Sequence, residues 1–289
     1  MKMKKSCFLM SYIPYIDTEE TIGVLDRAKA DGFDAVEPYD TPDIYNDTNG
    51  IENAKKVREK MENLELSCSC FSMGINMLAD PKEALRKLKK AVDVAYTLGS
   101  PYLHHTMELA LDYKGLPVYQ TVEKTFADVS RAAAEYAGEK GMSCIYENQG
   151  FLINTVDRLG SLLEKINMPN TGVCLDVGNS LFYDIEPEDY AGAFASLVKH
   201  VHVKDYLRKK TYPGKDWFRT ISGDYLFGAP IGHGVVDFEK IITILLKAGY
   251  DGYFSLEGGG ISEDPQKGVN RSMETLEYYF NRAVENINR

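Results

Sequence analysis

The sequence predicts an α/β fold, a single (β/α)8 or TIM barrel with an extended loop after the seventh strand, and three observations carry that prediction. A short β-type apolar run followed by a longer helical run recurs about every 36 residues along the 289-residue chain. Eight such strand candidates can be counted, each followed by a helical pattern. No Pro- or Ser-rich linker interrupts the alternation, so one domain over 1–289 is expected, near the roughly 250 residues that such barrels use. Strict β-then-α order favours a closed barrel over a doubly wound sheet.

The strands are expected at 7–13, 33–39, 66–73, 101–107, 142–148, 172–177, 200–205 and 252–257. The start of the chain, basic and then apolar, imitates a signal peptide. Pro14 and Asp17 break its apolar patch early and no small-residue cleavage site follows, so it is read as the first strand of a cytoplasmic protein. After the third strand, Asp80-Pro81-Lys82-Glu83 supplies an N-cap and a Pro at the first helical position. Leu85, Leu88, Val92 and Ala95 then follow at helical spacing. The basic run of residues 86–90 reads as the wet face of that helix. Asp264-Pro265 opens the last helix in the same way, and Gly99, Gly141 and Gly249 stand where a left-handed helix C-cap is needed. The surplus length lies at 206–236, a polar and Gly-rich connection holding the single tryptophan, Trp217, with Tyr206, Tyr212, Phe218, Tyr225 and Phe227. A connection of that length in a compact domain is usually functional; here it either covers substrate as a lid or meets a second copy of the chain in a homo-oligomer.

Composition narrows the function. With 44% hydrophobic residues the chain can bury a large core, and no stretch approaches the roughly 18 uncharged apolar residues of a membrane span. A formal net charge of −10 argues against a nucleic-acid partner, since phosphate binding needs clustered Lys and Arg. Cys7, Cys68, Cys70, Cys144 and Cys174 are odd in number and lie in apolar runs, as expected of free thiols in a reducing compartment.

In a (β/α)8 barrel the active site is built at the C-terminal ends of the strands. Four consecutive strands end in an ionisable group directly after apolar residues: Glu147, Asp176, His202 and Glu257. Buried carboxylates that converge repel one another and are costly to desolvate unless a cation meets them. A divalent metal resolves that conflict, and oxygen-rich ligation with one nitrogen suits Mn²⁺, Mg²⁺ or Co²⁺, with Zn²⁺ as a further alternative. Around this set, strand alternation lets only one of His104 and His105 face the barrel, and His105 is expected to contact substrate. Lys204 shares a face with His202, either to bind a substrate oxygen or to pair with an acid. Glu37 ends the second strand and could hydrogen-bond a substrate hydroxyl. Gly258-Gly259-Gly260 falls where many barrels hold phosphate, or it gives the backbone room beside the metal. His233 is expected to be loop structure.

The segments GVCLDVGN, HVHVKD, IGHGVVDF and GYDGYFSLEG resemble the signature blocks of the xylose-isomerase-like barrel superfamily, in its sugar (phosphate) isomerase and epimerase branch. Their order matches, and the resemblance runs along essentially the whole chain. It implies that Glu147, Asp176, His202 and Glu257 bind one divalent metal, Mn²⁺ first, and that Glu147 and Glu257 also act as the acid and base. In the ketose 3-epimerases of this branch a His follows the metal Asp by three residues, where this chain has Asn179, kept here as a substrate contact. An acidic residue after the first metal Glu is replaced by Ile153. The substrate-contacting Arg after the metal His has its match in Arg208. The trinuclear-zinc DNA endonucleases of the superfamily need further ligands, and this chain has Leu226-Phe227-Gly228 and Asn179 at those places.

The expected activity is therefore a metal-dependent isomerisation or epimerisation of a small carbohydrate or keto-sugar, through an enediolate formed and quenched by two glutamates. The alternatives are a lyase on the same site, of the inosose dehydratase or keto-glycoside-cleaving type, and a sugar-binding barrel without turnover.

Overall fold

Each expected strand alternates side chains between two buried faces, and in the computed structural model, which describes residues 1–109, 112–258 and 265–288, these strands close on one another. In chain order they are β1 (Lys4–Phe8), β2 (Ala35–Glu37), β3 (Ser67–Cys68), β4 (Phe71–Met73), β5 (Tyr102–His105), β6 (Ser143–Glu147), β7 (Thr171–Asp176), β8 (Val198–Val203), β9 (Asp205–Lys209), β10 (Phe218–Arg219), β11 (Tyr225–Ala229) and β12 (Tyr253–Leu256). The barrel sheet runs β3-β2-β1-β12-β8-β7-β6-β5-β4. Its two ends, β3 and β4, are pieces of one interrupted third strand, and a parallel bridge between Tyr39 and Ser72 joins β4 to the end of β2.

Helices α1 (Ile13–Ala30), α2 (Gly50–Asn63), α3 (Pro81–Leu98), α4 (Tyr119–Gly138), α5 (Val156–Ile166), α6 (Pro187–Phe194), α7 (Phe238–Lys247) and α8 (Pro265–Ile287) alternate with the barrel strands. Asp80 caps α3 as its sequence predicts, accepting the Lys82 and Glu83 N–H groups at 3.0 and 3.1 Å, and Gly99 closes it at φ +78°. The expected N-cap Asp264 lies outside the described residues. Inside the barrel, Cys70, Ile145 and Cys174 pack as a small apolar plug. A much larger core between strands and helices holds Phe71, Tyr146 and Phe254. All five cysteines are free thiols, and among the described residues no helix is long and apolar enough to cross a membrane.

Two expectations change. The first strand is Lys4–Phe8, not 7–13: Leu9–Tyr12 forms a 3₁₀ turn and Pro14 sits in the first turn of α1, where its fixed φ is pre-set for a helix. The connection 206–236 contains regular structure, an antiparallel sheet β10-β11-β9 in which Phe227 pairs with Leu207 and Phe218 with Leu226.

That small sheet is tied to the barrel by one carboxylate. Asp205, fully buried, accepts four backbone N–H groups, from Tyr206 (2.9 Å), Gly232 (2.9 Å), Gly234 (2.8 Å) and Val236 (3.2 Å). The chain approaches so closely that a Cβ at Gly234 would overlap Asp205 Oδ1 and the Tyr206 carbonyl. This accounts for the IGHG block structurally. His233, exposed in the turn, is loop structure as expected. Replacing Asp205 by Ala strands four donors, of which those of Tyr206 and Val236 are buried. We expect a loss of about 3 kcal/mol of unfolding free energy, read by urea denaturation, with Asp205→Asn less affected because its amide oxygen still accepts.

Candidate metal centre

The parity of β6, β7, β8 and β12 aims Glu147, Asp176, His202 and Glu257 at one point in the barrel mouth, and their ligating atoms all lie within 4.8 Å of one another. His202 Nδ1 is 3.0 Å from Glu147 Oε1 and 3.2 Å from Glu257 Oε2. Asp176 is fixed by its own chain, with Oδ1 accepting the Gly178 and Asn179 N–H groups at 2.8 and 3.1 Å. The side chain of Asn148 bonds both the Asp176 carbonyl and its N–H, locking the ends of β6 and β7 together.

The donor set fits a divalent cation. Asp176 Oδ2 and Glu257 Oε2 are buried and make no hydrogen bond among the described residues. They have only ion-pair neighbours, Lys204 Nζ at 3.0 Å from the first and His202 Nδ1 at 3.2 Å from the second. Burial raises the Asp176 carboxyl to about 7; Lys204 opposes this, and Glu257 and Glu147 reinforce it. Burial acts the same way on Glu147, but His104 and His202 outweigh it and hold that carboxyl below its ordinary range. Glu257 also lies below its ordinary range, since Lys204 and His202 overcome its burial.

Beneath the four candidate ligands lies a second polar layer that sequence reasoning misses. Glu37 is completely buried, and its carboxylate accepts from His202 Nε2 (2.8 Å), His200 Nε2 (2.7 Å), Ser255 Oγ (2.6 Å) and Ser72 Oγ. Burial alone would raise its pKa; the adjoining histidines His202 and His200 hold it well below the usual carboxylate range. A carboxylate behind a ligating imidazole fixes both tautomer and ring orientation. Here it directs Nδ1 of His202 toward Glu147 and Glu257.

Several substrate contacts expected from sequence sit elsewhere. Glu37 is under the cluster, with both oxygens engaged, and is not at the mouth. His104, not His105, faces the barrel: its Nδ1 meets Ser72 Oγ at 2.8 Å and its Nε2 lies 3.4 Å from Glu147 Oε2. His105 turns outward against Tyr146, bonded to the Thr106 carbonyl, and burial lowers its pKa to about 4. Arg208 is held by Asp184 (2.5 Å) and Asp224 (2.8 Å) and braces the small sheet. Asn179 does join the cluster, its Nδ2 lying 3.5 Å from Glu147 Oε1. Lys204 bridges Asp176 and Glu257, the latter at 2.5 Å. Gly258 has φ +81°, and Gly259 and Gly260 lie outside the described residues.

Two cavities open onto the cluster and share Met10, Gln149 and Glu257. One, of about 390 Å³, lies toward the small sheet beside Lys204, Phe182, Tyr206 and Phe218. The other, of about 270 Å³, is lined by Tyr39, Asp40, Ser72, His104 and Glu147.

A family model described as xylose isomerase-like TIM barrel matches residues 25–279. Inosose dehydratase of Bacillus cereus (strain AH820) is 25% identical over 219 residues, covering 71% of this chain and 72% of that protein. Among solved structures, an L-ribulose 3-epimerase superposes with a TM-score of 0.77 at 14% identity, covering 99% of this chain and 97% of the other. A xylose isomerase-like TIM barrel protein from Mycobacterium smegmatis in complex with magnesium gives 0.71 at 18% identity, covering 90% and 88%. The relatives found by sequence and by structure thus include enzymes named for sugar epimerisation and for dehydration.

The raised Asp176 carboxyl has a measurable consequence. In metal-free protein it keeps its proton until the pH rises through about 7, so a divalent cation must displace that proton and binds more tightly as pH rises. Mn²⁺ affinity, read by calorimetry between pH 5.5 and 8.5, is expected to climb about tenfold per unit up to about 7 and then level off. Because the folded-state pKa is raised, this group's share of metal-free stability is full at low pH and is lost through the same window. A flat affinity profile would contradict the cluster's arrangement.

Proposed function

The chain belongs to the xylose isomerase-like TIM barrel family, and on that premise we propose that it is a divalent-metal-dependent isomerase or epimerase that moves a proton beside a carbonyl of a sugar or keto-sugar derivative. The observation that carries this reading is the pair Glu147 and Glu257, whose carboxylates approach His202 Nδ1 from strands on either side of β8. A divalent cation on Glu147, Asp176, His202 and Glu257, Mn²⁺ ahead of Mg²⁺, Co²⁺ or Zn²⁺, would polarise a carbonyl and its neighbouring hydroxyl and so acidify the C–H between them.

The protein's own groups do the rest. One glutamate takes the proton from carbon, and the other returns a proton to the opposite face. Lys204, 2.5 Å from Glu257 Oε1, is the nearby proton source for that return. His104, whose Nε2 has no hydrogen bond among the described residues, is placed to hold a substrate hydroxyl beside Glu147. Glu37 and Ser72 keep the two imidazoles in register.

A second reading keeps the first step and changes the last. The same deprotonated substrate expels a β-hydroxyl as water, or a glycosidic substituent, with Lys204 protonating the departing oxygen. The inosose dehydratase relative favours this variant.

Glu147→Gln and Glu257→Gln keep size and burial while removing the base. Each is expected to lower turnover by about 10³-fold with the melting temperature little changed. The assay is C–H exchange in D₂O followed by NMR, with Mn²⁺-loaded protein and a panel of ketoses, keto-sugars and inososes. Deuterium gained with all substituents retained supports the isomerase or epimerase, and loss of water or of an aglycone supports the lyase. A variant with near-wild-type rates on a verified substrate would remove the two-glutamate assignment.

A further inference from the structure

The two cavities that meet at the metal cluster differ in what they leave unsatisfied. In the larger one most polar side chains are already engaged, Gln149 Oε1 and Glu257 Oε2 excepted. Lys204 pairs with Asp176 and Glu257, Asp205 accepts four backbone N–H groups, and Asn179 donates to Glu147. The large apolar and aromatic side chains of its wall are Met10, Phe182, Tyr206 and Phe218. Phe182 packs edge-on against Tyr206 with ring centroids at 5.8 Å, and against Phe218 at the same distance, so the three rings form one continuous surface. Phe218 and Met10 remain 38% and 39% exposed. The other aromatics of the insertion are spent on each other, Trp217 on Phe227 and Tyr212 on Tyr225.

The smaller cavity has apolar walls too, among them Phe8, Tyr39 and Met73, but it adds the Asp40 carboxylate, the Ser72 hydroxyl, engaged by Glu37 and His104, and His104 Nε2, which makes no hydrogen bond among the described residues and lies 3.4 Å from Glu147 Oε2. Gln149 lines both cavities, and its buried Oε1 is likewise without a hydrogen-bond partner among the described residues. A buried acceptor left open at the seam of two cavities calls for a donor from the ligand.

We propose that the substrate has two parts: a polyhydroxylated keto portion in the His104 cavity, and a flat apolar substituent, such as an aryl group, in the cavity walled by Phe182, Tyr206 and Phe218. Gln149 accepts a hydroxyl where the two parts join. This assignment rests on the reading of the site as a carbohydrate enzyme and names its substrate class. The volumes agree with it, since the aromatic cavity, about 390 Å³, already falls within the roughly 300–1,000 Å³ of pockets for drug-sized ligands. A sugar alone would leave the exposed Phe218 ring in water, while Phe182 and Tyr206 are already buried behind it. An aryl group covers Phe218, and ring-on-ring contact adds to the area term.

The test uses Mg²⁺-loaded protein and two inert probes without a carbonyl, phenyl and methyl β-D-glucopyranoside, with binding measured by calorimetry. The phenyl compound is expected to bind about tenfold more tightly than the methyl one. Phe218→Ala should reduce that preference to about threefold or less without changing methyl glucoside binding. Tyr212→Ala alters an aromatic of the same insertion that is 68% exposed and outside the cavity, and it should leave the preference intact. Equal affinities, no binding of the phenyl compound, or a preference that survives Phe218→Ala overturns the proposal. Failure of the carbohydrate-enzyme reading has a different signature: no C–H exchange in any keto-sugar, with the Phe218-dependent phenyl preference still present.

Discussion

Three carboxylates at the mouth of a barrel are the constraint on which the rest of this structure depends. Glu147, Asp176 and Glu257 are all largely withdrawn from water, and like charges at such distances cannot all stay ionised without compensation. The chain's own answer is partial. Lys204 and His202 supply positive charge on one side, while Asp176 is left with a raised pKa and an oxygen that no hydrogen bond reaches among the described residues. That residual deficit suits a divalent cation, beside which the two glutamates would stand.

The compensation extends downward. A further buried carboxylate, Glu37, takes hydrogen bonds from two histidines and two serines, so the barrel interior changes from an apolar plug of Cys70, Ile145 and Cys174 to a hydrogen-bonded polar layer before the mouth is reached. Such a layer costs desolvation, which charge-assisted bonding offsets. Its return is orientation: with Nε2 committed to Glu37, the His202 ring has one free direction for Nδ1. The mouth is then finished by a single strand-end acid. Asp205 gathers four N–H groups from the returning chain and so fixes the β9–β11 sheet over one side of the cluster. Fold stability and cavity shape are thereby joined in two adjacent residues, since Lys204 faces the cluster and Asp205 holds its aromatic wall.

The clustering of Glu147, Asp176, His202 and Glu257 was legible in the sequence because a β-strand's period of two and the barrel's rule of strand ends together single out an ionisable residue after an apolar run. Helix caps such as Asp80 and Gly99 were legible for a similarly local reason, their chemistry being complete within a few residues. The sequence favours His105 over His104 and is corrected by the structure, because adjacent strand residues face opposite ways and the register with β4 and β6 chooses between them. Glu37 looked like a mouth residue because nothing local reveals how far a strand end projects along the barrel axis.

The sequence by itself determined the alternating fold, the four converging polar residues and the place of the insertion, since each follows from local periodicity and from chemistry at known strand ends. Only the tertiary structure decided which histidine faces the metal site, that Arg208 serves Asp184 and Asp224, and that Glu37 lies beneath His202. It alone also brought Gln149 of one loop, Met10 near the first strand and Phe218 of the insertion around one space. These are relations between segments far apart in the chain. Side-chain direction there is set by strand register and by the stagger of the closed barrel, quantities that no single segment carries.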